Sequence, residues 1–296
     1  METYYVRHTY DLLISDDLRR RLWEERRVAV HYPLLAGQDI EDHPDTRSLD
    51  PAAYDRGGKR AVGALVRLAR DGGYVCAEYA WRDACLVGFV PPGSEVEIIE
   101  GRWRDRDRAA LLKTLPLERA VAIPPSKQAA LLAGRPRQGT AMRWPRVGSF
   151  VEHLVEEREP PASLELLSPS LQEAMCAEYL RMAEAEEDGV PRLSALVLPV
   201  GRTLRGVDVY GVAQDGRALM AQVTHGHEHA VGWKADALRE HAGTDAHAVL
   251  FCQCEAPSTA DGVLTYPIGR AFDRFTATPA GKLWLDAALL RGSFRP

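Results

Sequence analysis

Residues 208–224 constrain the fold more than any other segment of this 296-residue chain. Two runs of alternating residues flank the loop 214–216, and its last residue, Gly216, suits the left-handed position that a three-residue hairpin loop requires. With this loop, one face of the hairpin carries only apolar residues and glycine, whereas a register shifted by one residue would mix the two faces. The pattern therefore predicts an antiparallel hairpin in which Asp208 lies directly opposite Gln222.

The segments around this hairpin predict a fixed order of elements. Ser170 opens a capping box of the form S-x-x-E, which predicts a helix over residues 170–187. A strand is expected at 193–199, a second helix at 231–241, and a wholly apolar strand at 246–252, as is typical of a strand in the centre of a sheet. The resulting order is helix, strand, hairpin, helix, strand.

Two charged residues stand out in the two predicted helices. Glu178 falls inside the apolar stripe of the first helix, where a carboxylate must be paired, protonated or bound to a metal. The alternative is that Glu178 reaches solvent at the edge of the stripe or pairs with an arginine such as Arg202. Lys234 falls in the first turn of the second helix, where the helix dipole disfavours a cation. A role in a site would explain Lys234, and the alternative is an exposed lysine beside Trp233.

These residues resemble the PD-(D/E)XK nuclease superfamily, and the pattern is closest to the Mrr-like restriction endonucleases. The resemblance covers about residues 165–275 and implies a restriction-endonuclease-like αβββαβ domain. Asp208 and Gln222 match the acidic and Gln positions of that pattern, with a 14-residue separation that suits the family. Glu178 matches the acidic residue of the family's first helix.

One position departs from the family pattern. Thr224 stands where these nucleases carry a lysine. Some members supply that amine from the following helix, so Lys234 is the candidate replacement. If Lys234 does not reach the site, the fold is catalytically degenerate and serves to bind nucleic acid or a partner protein.

The resemblance implies a metal-dependent DNA endonuclease, a hydrolase of modification-dependent restriction or anti-phage defence. Asp208, the side-chain carbonyl of Gln222 and Glu178 would hold Mg²⁺ or Mn²⁺, which oxygen ligands suit. The metal would activate water and polarise the scissile phosphate. Lys234 would orient that water or neutralise developing charge. Nucleases of this kind often act as homodimers, so a homodimer is also expected.

The first half of the chain predicts a different domain. Several short strands and two or three helices indicate a mixed α/β small barrel, which weakly resembles PUA-like domains. The charged segment around Pro160 and Pro161 lacks an apolar period and predicts a linker. The chain is therefore expected to be α/β throughout, with a target-recognition domain at 1–155, a linker at 156–165 and a nuclease domain at 166–296.

Basic charge is concentrated before the linker. Residues 101–150 contain 11 basic and 3 acidic residues, a net charge of +8, whereas residues 151–296 have a net charge of −8. Arginine beside tryptophan suits backbone contact and base stacking, so DNA binding is expected here. The expected nucleic-acid-binding residues are Arg102, Trp103, Arg104, Arg135, Arg137, Arg143 and Trp144, with Arg202 from the second half. The alternative is that the tryptophans are core residues and the arginines form a solvated face.

Composition also indicates where the protein resides. No run of 18 apolar residues is present, so no membrane span or membrane partner is expected. The chain has five cysteines, an odd number, without the spacing of a zinc site. Reduced thiols and a cytoplasmic location fit this pattern.

Overall fold

The computed structural model describes residues 1–9, 12–32, 47–105, 109–132, 134–136, 138–145, 148–199, 206–227 and 230–292. This part of the chain is mixed α/β, as the sequence predicts, and its strands form three sheets. Contacts between Cα atoms divide the chain into two compact units, residues 1–160 together with the end of the chain from Gly292, and residues 161–291. None of the described helices is long and apolar enough to cross a membrane.

The first unit contains eight described strands and four described helices. In chain order these are β1 (Thr3–His8), α1 (Asp16–Glu24), β2 (Arg27–Val30), α2 (Arg56–Asp71), β3 (Gly73–Tyr79), β4 (Ala84–Val90), β5 (Glu97–Arg102), β6 (Ala109–Pro116), β7 (Glu118–Ile123), α3 (Pro125–Leu132), β8 (Ala141–Arg143) and α4 (Gly148–Val155). The strands pair in the orders β7-β4-β3-β1-β8 and β2-β6-β5. Pairing among the described strands thus gives two sheets, where the sequence led us to expect one small barrel.

Helix α2 shows how local sequence builds this unit. The Asp55 carboxylate accepts a hydrogen bond from the Gly58 N–H and caps the first turn. Gly72 ends the helix with a φ of 70°, a left-handed conformation that favours glycine. Between these ends, apolar side chains such as Val62 and Leu65 recur at helical spacing and are buried in the core of the unit.

The second unit is built around one six-stranded sheet. Its elements are α5 (Pro169–Leu180), α6 (Ala183–Glu187), β9 (Leu193–Pro199), β10 (Val209–Ala213), β11 (Ala218–His227), α7 (Gly232–Ala242), β12 (Ala246–Gln253), β13 (Ser258–Ala260), β14 (Val263–Pro267), α8 (Ile268–Ala277) and α9 (Pro279–Ala288). The sheet order is β13-β14-β12-β11-β10-β9. Strands β9, β10 and β11 are antiparallel, and β12 runs parallel to β11. The predicted order of helix, strand, hairpin, helix and strand is confirmed.

The predicted hairpin register is also confirmed. Val209 pairs with Ala221, and the Ala213 N–H donates to the carbonyl of Arg217 at 2.8 Å, which leaves a loop of three residues. Gly216 closes this loop with a φ of 84°, a conformation that few other residues adopt without strain. The regular pairing ends at Val209 and Ala221, and the Asp208 N–H donates to the carbonyl of Ala221, so Asp208 lies beside the last pair and not in a regular pair with Gln222.

The first helix of this unit differs from the prediction in two ways. Its N-cap is Ser168 and not Ser170, because Pro169 suits the first helical position and the Ser168 hydroxyl accepts from the Leu171 N–H. The helix also ends at Leu180, where the next N–H groups bond three residues back and not four. The predicted helix over residues 170–187 is therefore two helices, α5 and α6.

Helices cover both faces of the six-stranded sheet. Tyr179 of α5 contacts Phe251 of β12, with ring centroids 6.3 Å apart. On the opposite face, Leu238 of α7 lies in a cluster with Leu250, and Met220 of β11 packs against it. Since Gln222 pairs with Leu250 in the sheet, its side chain lies on the face that α7 covers.

Candidate functional site

Asp208 lies at the point where the hairpin begins, immediately before β10. The residue is only 9% exposed. Its main-chain N–H donates to the carbonyl of Ala221 at 2.8 Å, and its Oδ2 accepts from the main-chain N–H of Val223 at 2.8 Å. The backbone of β11 therefore fixes the Asp208 carboxylate in position.

The environment of Asp208 favours its uncharged form. Burial raises the pKa of Asp208, and the hydrogen bond from Val223 and the charge of Lys234 only partly oppose this rise. Among the described residues, the Val223 N–H is the one group that donates a hydrogen bond to this carboxylate. A cation bound here would supply positive charge that compensates the buried carboxylate.

Gln222 supplies a second oxygen on this part of the hairpin. The residue is 7% exposed, and its Oε1 is buried without a hydrogen-bond partner among the described residues. An unsatisfied buried polar group costs about 1–3 kcal/mol, so such atoms are uncommon in folded proteins. An amide oxygen and a carboxylate on facing strands fit a hard cation such as Mg²⁺.

Lys234 lies in the first turn of α7, as predicted. Its charge lowers the pKa of Asp208, so the two groups are within electrostatic range of each other. No ion pair within 4.0 Å joins them in the described part of the chain. The Lys234 ammonium lies 5.6 Å from the centroid of the Trp233 ring. The Thr224 hydroxyl, at the position of the family lysine, accepts from the Gly226 N–H at 3.2 Å.

Glu178 is not buried, and that expectation was wrong. Its side chain is 44% exposed and lies 3.6 Å from Arg181, one turn away on the same helix face. The alternative of pairing with an arginine is therefore the observed arrangement, although the partner is Arg181. Arg202, the arginine considered from the sequence, lies outside the described residues.

A different acid of α5, Glu173, lies within electrostatic range of Cys176. Burial raises the pKa of the Cys176 thiol, and the charges of Asp208 and Glu173 raise it further. Both carboxylates are therefore within electrostatic range of this buried thiol. Sequence reasoning overlooked Glu173 because its spacing from Ser170 suggested a capping residue, whereas the helix begins two residues earlier.

The described residues limit what could hold a metal here. No group of three His, Cys, Asp or Glu side chains among them is arranged to bind a metal ion. A metal at Asp208 would therefore need the amide oxygen of Gln222 as a protein ligand, with water or substrate oxygens completing its shell.

The two tryptophans predicted to stack on bases are buried in the first unit. Trp103 lies edge-on to His31 at a centroid distance of 4.6 Å, and Trp144 lies edge-on to Tyr5 at 5.1 Å. The Trp144 Nε1 donates to the carbonyl of Gly134 at 2.9 Å. Burial of such large apolar rings stabilises the core, so neither ring presents a face to a base.

The predicted DNA-binding arginines of the first unit are exposed, and most of them have acidic neighbours. Arg104 lies 3.9 Å from Asp16, and Arg135 lies 2.8 Å from Glu78. Arg143 pairs with Glu2, Arg102 is exposed, and Arg137 lies outside the described residues. Exposed ion pairs contribute little to stability, so these arginines can exchange a carboxylate for a phosphate at small cost.

Comparisons with known proteins give few relatives. No protein-family model matches the chain, and no curated protein matches it. Among solved structures, the chain is similar to a crystal structure of a repair endonuclease from Pyrococcus abyssi. The two chains are 16% identical with a TM-score of 0.22, over 64% of this chain and 70% of that one. Because the TM-score is this low, the proposal that follows relies on this chain's own residues and not on the likeness.

Proposed function

We propose that this protein is a metal-dependent DNA endonuclease that hydrolyses phosphodiester bonds. One observation carries the proposal: the buried oxygen of Gln222 on β11 has no hydrogen-bond partner among the described residues, and Asp208, which the backbone of the same strand holds in place, is a buried carboxylate whose pKa is raised. A buried oxygen without a partner and a buried carboxylate with a single donor both destabilise the fold, and a bound cation would satisfy both. Modification-dependent restriction or anti-phage defence is the biological role we propose for this activity.

Asp208 and Gln222 would hold Mg²⁺ or Mn²⁺ through one oxygen each. The bound ion supplies charge neutralisation at the scissile phosphate and a water of lowered pKa. The Val223 N–H keeps the Asp208 carboxylate oriented toward its ligand, and Lys234 orients the attacking water or neutralises charge on the phosphate. Glu178 would have to leave its pair with Arg181 to join them, so we assign the metal to the other two residues.

The first unit would supply affinity for DNA. The net charge of +8 over residues 101–150 favours binding to the phosphate backbone with release of counterions, whereas the net charge of −8 over residues 151–296 opposes it. Among the residues named above, Arg102, Arg104, Arg135 and Arg143 have exposed side chains that can reach a backbone. Their role would be to hold the substrate while the second unit cuts it.

A second candidate function is a degenerate nuclease fold that binds nucleic acid or a partner protein. The observation in its favour is Thr224, whose hydroxyl bonds to the backbone of Gly226 where a nuclease of this family carries a lysine. On this alternative Lys234 does not replace the missing amine, and the protein binds without cutting.

The homodimer implied by the family resemblance remains a proposal. Strand β9 lies at the edge of the six-stranded sheet and exposes the apolar side chains of Leu196 and Val197. Edge strands of this kind offer unpaired backbone groups to a second chain. Light scattering of the purified protein tests the proposal, and a monomer at all concentrations would exclude it.

Cleavage of supercoiled plasmid DNA tests the endonuclease proposal. The wild type would be compared with Asp208→Asn and with Asp236→Asn, a matched control that changes an exposed carboxylate on α7. We expect nicking by the wild type and the control that requires Mg²⁺ or Mn²⁺, and none by Asp208→Asn. Plasmids with unmodified cytosine, 5-methylcytosine and 5-hydroxymethylcytosine test the proposed role in restriction. DNA binding without cleavage would favour the degenerate module, and cleavage by Asp208→Asn would show that the site is wrongly assigned.

A further inference from the structure

Trp233 exposes its ring to solvent in the first turn of α7, one residue before Lys234. The residue is 60% exposed, and it is the one exposed residue among the six tryptophans, all of which lie in the described part of the chain. Tryptophan is a residue that folding normally buries over most of its area. A ring left open next to a site suits contact with a flat ligand.

The neighbours of Trp233 favour a phosphate-bearing ligand. Lys234 follows it in the chain, and the Lys234 ammonium lies 5.6 Å from the centroid of the ring. Both residues lie in the first turn of α7, where Val231 provides no side-chain acceptor for the first N–H groups of the helix. Apart from the chain neighbours of Gly232 and the backbone of its own helix, no atom of the described residues lies within 4 Å of the position that a Cβ on Gly232 would occupy, which leaves room for a ligand at this helix end. A helix N-terminus with an adjacent lysine is a favourable environment for a phosphate.

The proposed metal site gives an independent indication that a ligand approaches here. The charge of Lys234 reaches Asp208, and the sheet face that α7 covers carries the buried oxygen of Gln222, which has no hydrogen-bond partner among the described residues. The ring of Trp233 is therefore one residue away from a lysine that belongs to the proposed catalytic site. A nucleotide with its phosphate near Lys234 would bring a base within reach of the ring.

We propose that Trp233 stacks on an unpaired base next to the scissile phosphate, so that the substrate is DNA with a single-stranded or extruded nucleotide at the cut. The inference rests on the proposed nuclease function. Bases inside a duplex are stacked on both faces, whereas an unpaired base has a free face for an aromatic ring. Stacking would also supply affinity in a half of the chain whose net charge is −8 and therefore repels phosphates.

Oligonucleotide binding in EDTA tests this proposal without cleavage. Fluorescence anisotropy would compare a labelled twelve-nucleotide oligothymidylate with a blunt twelve-base-pair duplex. We expect Trp233→Ala to bind the single strand about tenfold more weakly and the duplex almost unchanged, because one stacked base contributes that order of affinity. Trp233→Phe keeps an aromatic face and should retain most of the binding. Leu283→Ala, which removes another exposed apolar side chain from the same unit, is the matched control and should bind as the wild type does.

Tryptophan fluorescence gives a direct readout of the ring. Subtracting the spectrum of Trp233→Phe from that of the wild type isolates the emission of Trp233, and oligothymidylate should quench it. Equal loss of single-strand and duplex binding in Trp233→Ala would overturn the proposal, as would unchanged binding. Loss of self-association with unchanged DNA binding would identify a protein contact and also overturn it.

The two proposals fail in different ways. If Asp208→Asn abolishes cleavage while Trp233→Ala binds the single strand normally, the nuclease function stands and the stacking role is wrong. If no variant cleaves DNA and Trp233 emission is still quenched by the single strand, the stacking role stands in a protein that binds without cutting.

Discussion

Asp188 and Asp208 are two buried carboxylates of the same unit with opposite surroundings. The Asp188 side chain is 4% exposed and accepts hydrogen bonds from several charged or hydroxyl groups on neighbouring elements. Its donors are Tyr179 at 2.9 Å, Tyr266 at 2.7 Å, Arg270 at 2.6 Å and Arg274 at 3.1 Å. Asp208 has one donor among the described residues, the N–H of Val223.

The pKa values of the two carboxylates move in opposite directions. Burial alone would raise the pKa of Asp188, but hydrogen bonds from its four partners hold that pKa well below its ordinary range. Burial raises the pKa of Asp208, and its few partners do not compensate. The comparison shows that the fold can saturate a buried carboxylate with its own donors. The Asp208 carboxylate can still accept hydrogen bonds or bind a cation, so we assign Asp208 to the proposed metal site. We assign a structural role to Asp188.

Replacing Asp188 should have the largest effect on stability. Asp188→Asn removes the charge that Arg270 and Arg274 face, and since hydrogen bonds to charged groups contribute about 1.5–3 kcal/mol each, we expect a loss of about 3 kcal/mol. Urea unfolding measures the loss, and Asp236→Asn on the exposed face of α7 is the control. A loss below about 1 kcal/mol would contradict the structural role of Asp188, since typical surface substitutions fall in that range.

Removing one donor from Asp188 should have a smaller effect. Tyr266→Phe deletes a hydroxyl that donates to Asp188 at 2.7 Å and lies 2.9 Å from the Tyr179 hydroxyl. Hydrogen bonds to charged groups contribute about 1.5–3 kcal/mol, so we expect a loss of about 2 kcal/mol in urea unfolding. Tyr210→Phe is the matched control, because the Tyr210 hydroxyl makes no hydrogen bond in the described part of the chain. Equal losses in both variants would show that the hydrogen bond from the Tyr266 hydroxyl to Asp188 does not contribute to stability.

Replacing Gln222 should stabilise the protein slightly. Gln222→Leu removes a buried carbonyl oxygen that lacks a partner among the described residues. We expect a gain of about 1 kcal/mol in metal-free buffer, because the cost of the unsatisfied group disappears. The same variant should lose metal-dependent cleavage. A clear loss of stability would mean that the Gln222 oxygen has a partner in the folded protein, and the site would lose its main support.

The smallest effect we expect is a change in pH dependence. The raised pKa of Asp208 means that the folded protein holds its proton longer than the unfolded chain does, so its contribution to stability is lost as the pH rises through that raised pKa. The contribution of Asp188 has the opposite sign: it is present above the ordinary pKa of 3.8 and is lost as the pH falls below that value. Urea unfolding from pH 4 to pH 7 should therefore show Asp208→Asn gaining stability relative to the wild type as the pH rises. A constant difference would contradict the shift of the Asp208 pKa.

Local sequence patterns predicted the hairpin correctly. The alternation around Gly216 fixes its register, because a shift of one residue would move apolar side chains to the opposite face. Local patterns also predicted strand β9 and helix α7. Gly243, a residue type that commonly ends helices, follows α7 directly.

Features that depend on distant contacts could not be predicted. Strand β1 pairs in parallel with β3, about seventy residues away. No local pattern in the sequence of β1 indicates which strand it pairs with. Trp103 and Trp144 are adjacent to arginines in the sequence, yet their rings pack into the core. Glu178 lies at the helical spacing of its apolar neighbours, but α5 ends soon after it and its side chain reaches solvent. Whether a side chain is buried depends on which element packs against its face of the helix or strand. The sequence pattern shows which residues share a face, but it does not show what packs against that face.

A titration of Mn²⁺ followed by electron paramagnetic resonance tests the central claim most directly. Mn²⁺ substitutes for Mg²⁺ at oxygen sites, and the signal of free Mn²⁺ falls as it binds. We predict one site in the wild type and in Asp236→Asn, and loss of that site in Asp208→Asn and in Gln222→Leu. Absence of binding in the wild type, or undiminished binding in both site variants, would contradict the assignment of Asp208 and Gln222 as metal ligands.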